Sequence, residues 1–163
     1  MMKEKDTSGA VERYVTFVVA GETYAVPALA VREVVRWMPV TRIPHGALAV
    51  KGVINLRGEI VPLVDLRVHL GLAPVDATDR TCIVVVSVQR GASRIQAGLI
   101  VDVALEVTRI AVTGGTADGG ALPGSSGRYV TSIAQTKGGL VILLDCAPLV
   151  IDALSTGHAS PAA

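Results

Sequence analysis

The sequence predicts an all-β protein made of two copies of one small β module, with short helical turns and a short helix near its C-terminus. Short apolar runs rich in Val, Ile and Leu recur along the 163 residues, punctuated by Gly, Pro and charged residues. This spacing is typical of the short strands of barrels or sandwiches. The runs do not alternate with long helical patterns, as they would in an α/β protein. An internal repeat supports the same fold class.

The repeat relates two hairpin-like segments and two strand-like segments. At an offset of 80, residues 53–65 align with residues 133–145, and at an offset of 73, residues 25–34 align with residues 98–107. The aligned positions are Arg57 with Lys137, Gly58 with Gly138, Asp65 with Asp145, and Glu33 with Glu106. Two copies of a β module would explain the middle of the chain, although matches of this quality also arise by chance among Val-rich strands.

The first elements follow from turn residues. Residues 14–27 predict a strand, a turn at Gly21-Glu22 and a second strand. Pro27 ends the second strand because it cannot donate a hydrogen bond to a sheet ladder. Residues 28–31 can form one helical turn, and residues 33–37 extend again before a loop that contains Pro and Gly.

Residues 51–72 predict a hairpin with an arginine at its tip. Two apolar runs flank Arg57 and Gly58, and a two-residue connection ending in Gly is a hairpin signature. A type II turn, with a positive φ at Gly58 alone, or a bulged turn is favoured over type I′, which needs a positive φ at both residues. Arg57 would then project outwards, where its guanidinium suits a carboxylate or backbone carbonyls on another surface. A solvated loop arginine is an equally good interpretation.

The later elements repeat this pattern. They are a short helix from Asp65 through His69 ended by Gly71, two or three strands within residues 82–112 turned at Arg90-Gly91 and near Asp102, a hairpin of residues 129–135 and 140–144, and a helix over residues 145–154. Residues 114–128 are rich in Gly and Ser and lack periodicity. They predict a mobile surface loop.

Composition narrows the class of protein. The chain is 50% hydrophobic, 18% charged and 3% aromatic, with a formal net charge of +1. This charge disfavours nucleic acids and anionic membrane surfaces as partners. No apolar run reaches the roughly 18 residues of a membrane helix, and the N-terminus lacks a signal-peptide core. We therefore expect a cytoplasmic protein, with Cys82 and Cys146 as buried, reduced thiols.

The sequence lacks the common catalytic and phosphate-binding motifs, since it contains no GxGxxG, GxxxxGK[ST], HExxH or GxSxG. Its histidines have no carboxylate or Cys at ligand spacing and are interpreted as surface residues: His45, His69 and His158. Three aspartates follow apolar runs, where strand-end and helix-cap roles explain them: Asp65, Asp102 and Asp145. These patterns do not favour an enzyme.

The order of five motifs resembles one known family. They are FxxxGExYAxPxxxVxEV at residues 17–34, TRIP at 41–44, KGVINLRGxIVPLVDLR at 51–67, GLIVDxxxEV at 98–107 and LLD at 143–145. In this order they resemble the CheW family of chemotaxis coupling proteins. The resemblance runs from about Tyr14 to Leu149, and the NLRGxIVPxxDLR block at residues 55–67 is its most specific part.

The resemblance implies a fold of two SH3-like five-stranded β-barrels packed together. Combined with the repeat, it predicts a domain over residues 13–153. Its predicted parts are a first barrel at about 13–72, a second barrel at about 80–145 and a terminal helix at about 145–153. A flexible arm at residues 1–12 and a flexible tail at residues 154–163 are expected to flank it.

The resemblance also implies a non-catalytic adaptor without a cofactor or metal. Such an adaptor joins the cytoplasmic tips of chemoreceptors to the regulatory domain of a CheA-type histidine kinase. It would be monomeric when free, would not insert into the membrane, and would be recruited to membrane-associated receptor arrays. The alternative from another class is a small-barrel module for single-stranded nucleic acid. That alternative needs a basic groove with stacking aromatics, and the chain has only one Trp, three Tyr and one Phe.

Candidate site residues follow from the resemblance, position by position. The expected partner-binding residues are Val31, Glu33, Val34, Arg57 and Cys82. Gly52 and Gly58 match positions where glycine provides the backbone shape. We also expect Glu33 and Arg57 to pair with each other, because each is a charge embedded in an apolar segment. Two independent surface charges are the alternative interpretation.

Overall fold

The structure, a computed structural model, describes residues 10–44, 47–112 and 128–155. The strands are β1 (Ala10–Val19), β2 (Glu22–Pro27), β3 (Val31–Arg36), β4 (Val50–Leu56), β5 (Glu59–Asp65), β6 (Cys82–Arg90), β7 (Ser93–Val101), β8 (Val103–Val112), β9 (Val130–Thr136) and β10 (Gly139–Leu144). A 3-10 turn spans Ala28–Ala30, and the helices are α1 (Leu66–His69) and α2 (Cys146–Ser155). The predicted all-β class with short helices is confirmed.

The strands form two five-stranded sheets that exchange segments along the chain. The central barrel has the strand order β3-β6-β7-β5-β4, and the terminal barrel has the order β8-β1-β2-β10-β9. The central barrel therefore uses residues 31–101 only, while the terminal barrel combines both ends of the described chain. The predicted division into barrels at residues 13–72 and 80–145 is wrong, because β1 and β2 pair with β8 and β10.

The repeat is present in the sheet topology. β5 pairs with β7 in parallel, and β10 pairs with β2 in parallel. Leu63 lies opposite Gly98, and Leu143 lies opposite Ala25. The offset of 80 relates Leu63 to Leu143, and the offset of 73 relates Ala25 to Gly98, so the two parallel contacts are equivalent. Because the two copies have equivalent strand edges, the hairpin of either copy can pair with β2 or β7. The chain passes from one barrel into the other at the 3-10 turn and at Asp102.

The largest apolar cluster lies between the two barrels. It includes Phe17 and Val26 from the terminal barrel and Leu99 from the central barrel. Leu66 from helix α1 and Leu149 from helix α2 belong to the same cluster. Helix α2 contributes one face at helical spacing, formed by the buried Cys146, Leu149, Val150 and Ala153. Smaller clusters fill the interior of each barrel. The barrels thus share a core and stabilise each other.

Local predictions hold within the first helix and fail at the chain ends. Asp65 caps α1, with its side chain accepting a hydrogen bond from the Arg67 N–H, and Gly71 follows with a φ of 86°. Residues 10–12, placed in the flexible arm, belong to β1 and pair with β8. Residues 154–155, placed in the tail, belong to α2. Backbone pairing and packing extend both elements beyond their sequence-based limits.

Several predicted features lie outside the described residues. These are residues 1–9 of the predicted arm, residues 114–127 of the loop rich in Gly and Ser, residues 156–163 of the predicted tail, and the side chains of His45 and His158. Across the described ranges, no helix has both the length and the apolar character needed to cross a membrane.

Candidate interaction surface

The tip of the β4–β5 hairpin differs from the predicted turn. Arg57 has a φ of 52° and Gly58 a φ of 86°, so both central residues are left-handed, as in a type I′ turn. The prediction of a type II or a bulged turn is wrong: Leu56 pairs directly with Glu59, and type I′ matches the right-handed twist of the paired strands. The Gly58 N–H donates to Asn55 Oδ1 at 2.9 Å. This hydrogen bond offsets part of the strain at Arg57 and keeps the tip in one shape.

Glu33 and Arg57 form the ion pair that the sequence suggests. Glu33 lies on β3 and Arg57 at the β4–β5 tip, so the pair joins the two edges of the central barrel. The Arg57 guanidinium donates to Glu33 Oε2, and this hydrogen bond lowers the pKa of Glu33 and raises the pKa of Arg57. The Arg57 side chain remains 70% exposed, whereas the Glu33 side chain is 27% exposed. The ion pair therefore orients an arginine that still faces solvent.

A backbone bridge joins β4 to the segment that follows β3. Thr41 and Val53 exchange two backbone hydrogen bonds, with N···O distances of 2.9 and 2.8 Å. Gly52 lies beside this bridge, and a Cβ on it would be 2.3 Å from the Thr41 carbonyl oxygen. The ammonium of the neighbouring Lys51 lies 6.0 Å from the centre of the Trp37 ring. Close backbone approach is thus the physical reason for glycine at position 52.

The other three expected partner-binding residues differ in exposure. Val34 is 41% exposed, while Val31 and Cys82 are half-buried and pack against the largest apolar cluster. Val31 and Cys82 lie at opposite ends of the β3–β6 ladder. Ile60 on β5 is 63% exposed, and sequence reasoning missed it. Its position three residues after Arg57, alternating with the buried Val61, is the signal that could have found it.

A chain of polar side chains crosses the central barrel and was also missed. Arg32 donates to Gln96 Oε1 at 3.2 Å, and Gln96 Nε2 donates to Glu59 Oε1. Arg32 lies on β3, Gln96 on β7, and Glu59 directly after the hairpin tip. This chain therefore provides a second polar connection between β3 and the start of β5. We use the term tip surface for Glu33, Val34, Arg57 and Ile60.

Asp102 links the two barrels, a role that the strand-end interpretation did not include. Its carboxylate accepts from Arg67 Nε at 3.1 Å, from Arg67 Nη2 at 2.6 Å and from the Ala20 N–H at 2.8 Å. Its own N–H donates to the Val18 carbonyl at 2.9 Å. Asp102 thus contacts both the β1–β2 hairpin of the terminal barrel and α1. We call the contact between Arg67 and Asp102 the inter-barrel latch.

Within its described residues, the terminal barrel has no copy of the ion pair. Glu106 and Lys137 occupy the repeat positions of Glu33 and Arg57, but no ion pair joins them in the described part of the chain. They line an open groove instead, together with the exposed Leu105 and Leu140. The repeat thus preserves the barrel and not the arrangement of charges at its edge.

Several side chains that an enzyme or a nucleic-acid site would use are buried in this structure. Burial raises the pKa of the Cys146 thiol to about 12, so the thiol remains protonated at neutral pH. No group of three or more potential metal ligands occurs among the residues that the structure describes. Tyr14, Phe17 and Tyr129 are buried. They are therefore withdrawn from the base stacking that a single-stranded nucleic-acid site requires.

His69 was expected at the surface, and this prediction is wrong. Its ring stacks on Tyr129, with centroids 5.1 Å apart, and its Nε2 atom is buried. The Tyr129 hydroxyl donates to Asp152 of α2 at 2.8 Å. Helix α1 therefore packs against the start of β9 and against α2, a contact that local sequence does not encode.

Comparisons with known proteins agree with this architecture. The family model of the CheW-like domain matches residues 13–153. The "Probable chemotaxis protein CheW" of Rhizobium etli is 35% identical over 96 residues, covering 59% of each chain. The "Chemotaxis protein CheW" of Bacillus subtilis is 35% identical over 99 residues, covering 61% of each chain. The aligned part of this chain thus spans about three fifths of the length of these relatives.

A solved structure gives the same result at the level of the fold. The crystal structure of the scaffolding protein TtCheW from Thermoanaerobacter tengcongensis is similar with a TM-score of 0.70 and 27% identity. The similarity covers 86% of this chain and 92% of that one. The family model covers most of the chain, including the tip surface and the inter-barrel latch. This chain belongs to the CheW-like domain family.

Proposed function

We propose that this protein is a non-catalytic chemotaxis scaffold that couples chemoreceptor tips to the regulatory domain of a CheA-type histidine kinase. The observation that carries the proposal is the ion pair between Glu33 and Arg57, which fixes an exposed arginine at the edge of the central barrel. The chemotaxis names of the relatives and the scaffolding name of TtCheW support it. The protein would act in the cytoplasm, monomeric when free, and would be recruited to receptor arrays.

The tip surface has the composition of a small protein interface. Val34 follows Glu33 on β3 and Ile60 lies on β5 three residues after Arg57, and both side chains expose apolar area. Interfaces combine apolar contacts with a few polar anchors, among which Arg is enriched. Val31 and Cys82 would contribute from the other parts of β3 and β6, where they are half-buried. Modest pairwise affinity would gain strength from assembly of many copies.

Arg57→Glu should weaken binding to the kinase regulatory domain by at least roughly tenfold, because the reversal breaks the ion pair and places a like charge beside Glu33. Binding of wild type and variant can be compared by calorimetry with the isolated domain and with a receptor signalling fragment. Arg90→Glu is the matched control, since Arg90 ends β6 at another hairpin of the same barrel. Equal affinities for wild type and a folded Arg57→Glu would remove the tip surface from the proposal.

A charge exchange separates the arginine itself from the ion pair. Glu33→Arg combined with Arg57→Glu can restore an ion pair across the barrel edges with its polarity reversed. If the pair serves to hold the tip in shape, the double variant binds better than either single variant, so the two effects are not additive. Additive losses would show that the two charges act independently.

A further inference from the structure

Helices α1 and α2 meet at a cluster of titratable groups that the proposed function does not use. His69 of α1 stacks on Tyr129 at the start of β9. Asp152 of α2 accepts from the Tyr129 hydroxyl at 2.8 Å and from Arg128 Nη2 at 2.9 Å. The cluster also adjoins the inter-barrel core through Leu149, whose backbone faces the His69 imidazole and acts to raise its pKa.

The cluster accommodates a neutral imidazole better than an imidazolium. Nε2 of His69 is buried and has no hydrogen-bond partner among the described residues. A protonated ring would have to bury an N–H donor at this atom without an acceptor, which costs free energy. The charged groups facing the ring are Asp152 of α2, which favours protonation, and Arg128 next to Tyr129, which opposes it.

We propose that His69 makes the packing of α2 against the barrel junction sensitive to protons. Acidification would charge the ring, and the protein would relieve the buried charge by loosening the contact among α1, Tyr129 and α2. Because α2 supplies part of the core shared by both barrels, loosening it would also loosen the barrels relative to each other. This regulation goes beyond the scaffold role and does not depend on it.

The direction of the pKa shift agrees with the packing. Burial lowers the pKa of His69 below its ordinary value of 6.5, and the favourable contacts with Leu149 and Asp152 do not compensate. The neutral ring therefore stabilises the fold fully above pH 6.5, and this contribution is lost as the pH falls through the lowered pKa. Tyr129, whose pKa burial raises to about 12, keeps its proton throughout this range.

Hydrogen exchange of α2 in the full chain tests the proposal. In wild type, the protection of the α2 amides, corrected for intrinsic exchange, should fall by roughly threefold or more between pH 7.5 and pH 5. His69→Phe retains an aromatic ring against Tyr129 but cannot titrate, and it should remove this pH dependence. His158→Asn, which deletes a histidine outside the described residues, controls for the loss of an imidazole and should behave like wild type.

Two results would overturn the proposal. One is the same pH dependence of α2 protection in wild type and in His69→Phe. The other is an NMR titration of wild type in which the His69 ring has a pKa at or above 6.5. The titration needs no variant, so it decides the question even if His69→Phe does not fold.

Discussion

Gly52→Ala should destabilise the protein by about 2–3 kcal/mol, because the new Cβ would lie 2.3 Å from the Thr41 carbonyl oxygen and 2.7 Å from Val40 Cγ1. The strand β4 or the segment after β3 must move, and both hydrogen bonds between Thr41 and Val53 weaken as a result. Thermal unfolding should show a melting temperature lower by roughly 5–10 °C.

Gly58→Ala is the matched control, six residues further along the same hairpin. A Cβ on Gly58 meets no atom within 4 Å, so only its positive φ opposes the substitution. The expected cost is about 1 kcal/mol. If Gly52→Ala were as stable as Gly58→Ala, Gly52 could not lie this close to Thr41 in the folded protein. The closure of the central barrel at this edge would then be contradicted as well.

Arg67→Ala should destabilise the protein by about 2–3 kcal/mol, because it breaks the inter-barrel latch and leaves the Asp102 carboxylate partly buried without its main partner. The two side chains are only 20% and 26% exposed, so water replaces the lost hydrogen bonds incompletely. Denaturant unfolding of the two variants Arg67→Ala and Asp102→Asn measures the effect.

The exposed ion pair between Arg128 and Asp152 provides the control for the latch. The Arg128 side chain is 64% exposed, so Arg128→Ala should cost less than about 1 kcal/mol. A latch variant that loses no more stability than Arg128→Ala would contradict the inter-barrel role of Asp102.

The latch also predicts a dependence on pH. Burial alone would raise the pKa of Asp102, but the hydrogen bonds from Arg67 and from the Ala20 N–H outweigh it and lower the pKa below 3.8. The ionised carboxylate stabilises the fold above that value, and the contribution is lost as the pH falls through the lowered pKa. Asp102→Asn should lack this part of the acid sensitivity of wild type.

Sequence reasoning predicted those elements that are determined by neighbouring residues. The hairpin around Arg57 and Gly58, the helix capped by Asp65 and the end of β2 at Pro27 each depend on turn or cap chemistry within a few positions. The internal repeat located equivalent strands but not the exchange between barrels. Both copies present the same strand edges, so apolar pattern and spacing do not distinguish pairing within a copy from pairing between copies.

The candidate site was predictable to a similar extent. The pairing of Glu33 with Arg57 could be anticipated because each is a charge in an apolar segment. The type I′ turn could not, since Arg57 has no evident preference for a positive φ and strand twist decides the geometry. The contact of Arg67 with Asp102 and that of His69 with Tyr129 join residues 35 and 60 positions apart. They depend on the exchanged topology, which local patterns do not contain.

The most direct test of the scaffold role is a bridging measurement with purified components. A receptor signalling fragment is immobilised, and retention of the CheA-type regulatory domain is measured with and without this protein. Wild type should retain the kinase domain on the receptor surface in proportion to its own concentration, and folded Arg57→Glu should retain much less. Failure of folded wild type to retain the kinase domain, at concentrations that saturate the receptor surface, would contradict the proposed coupling function.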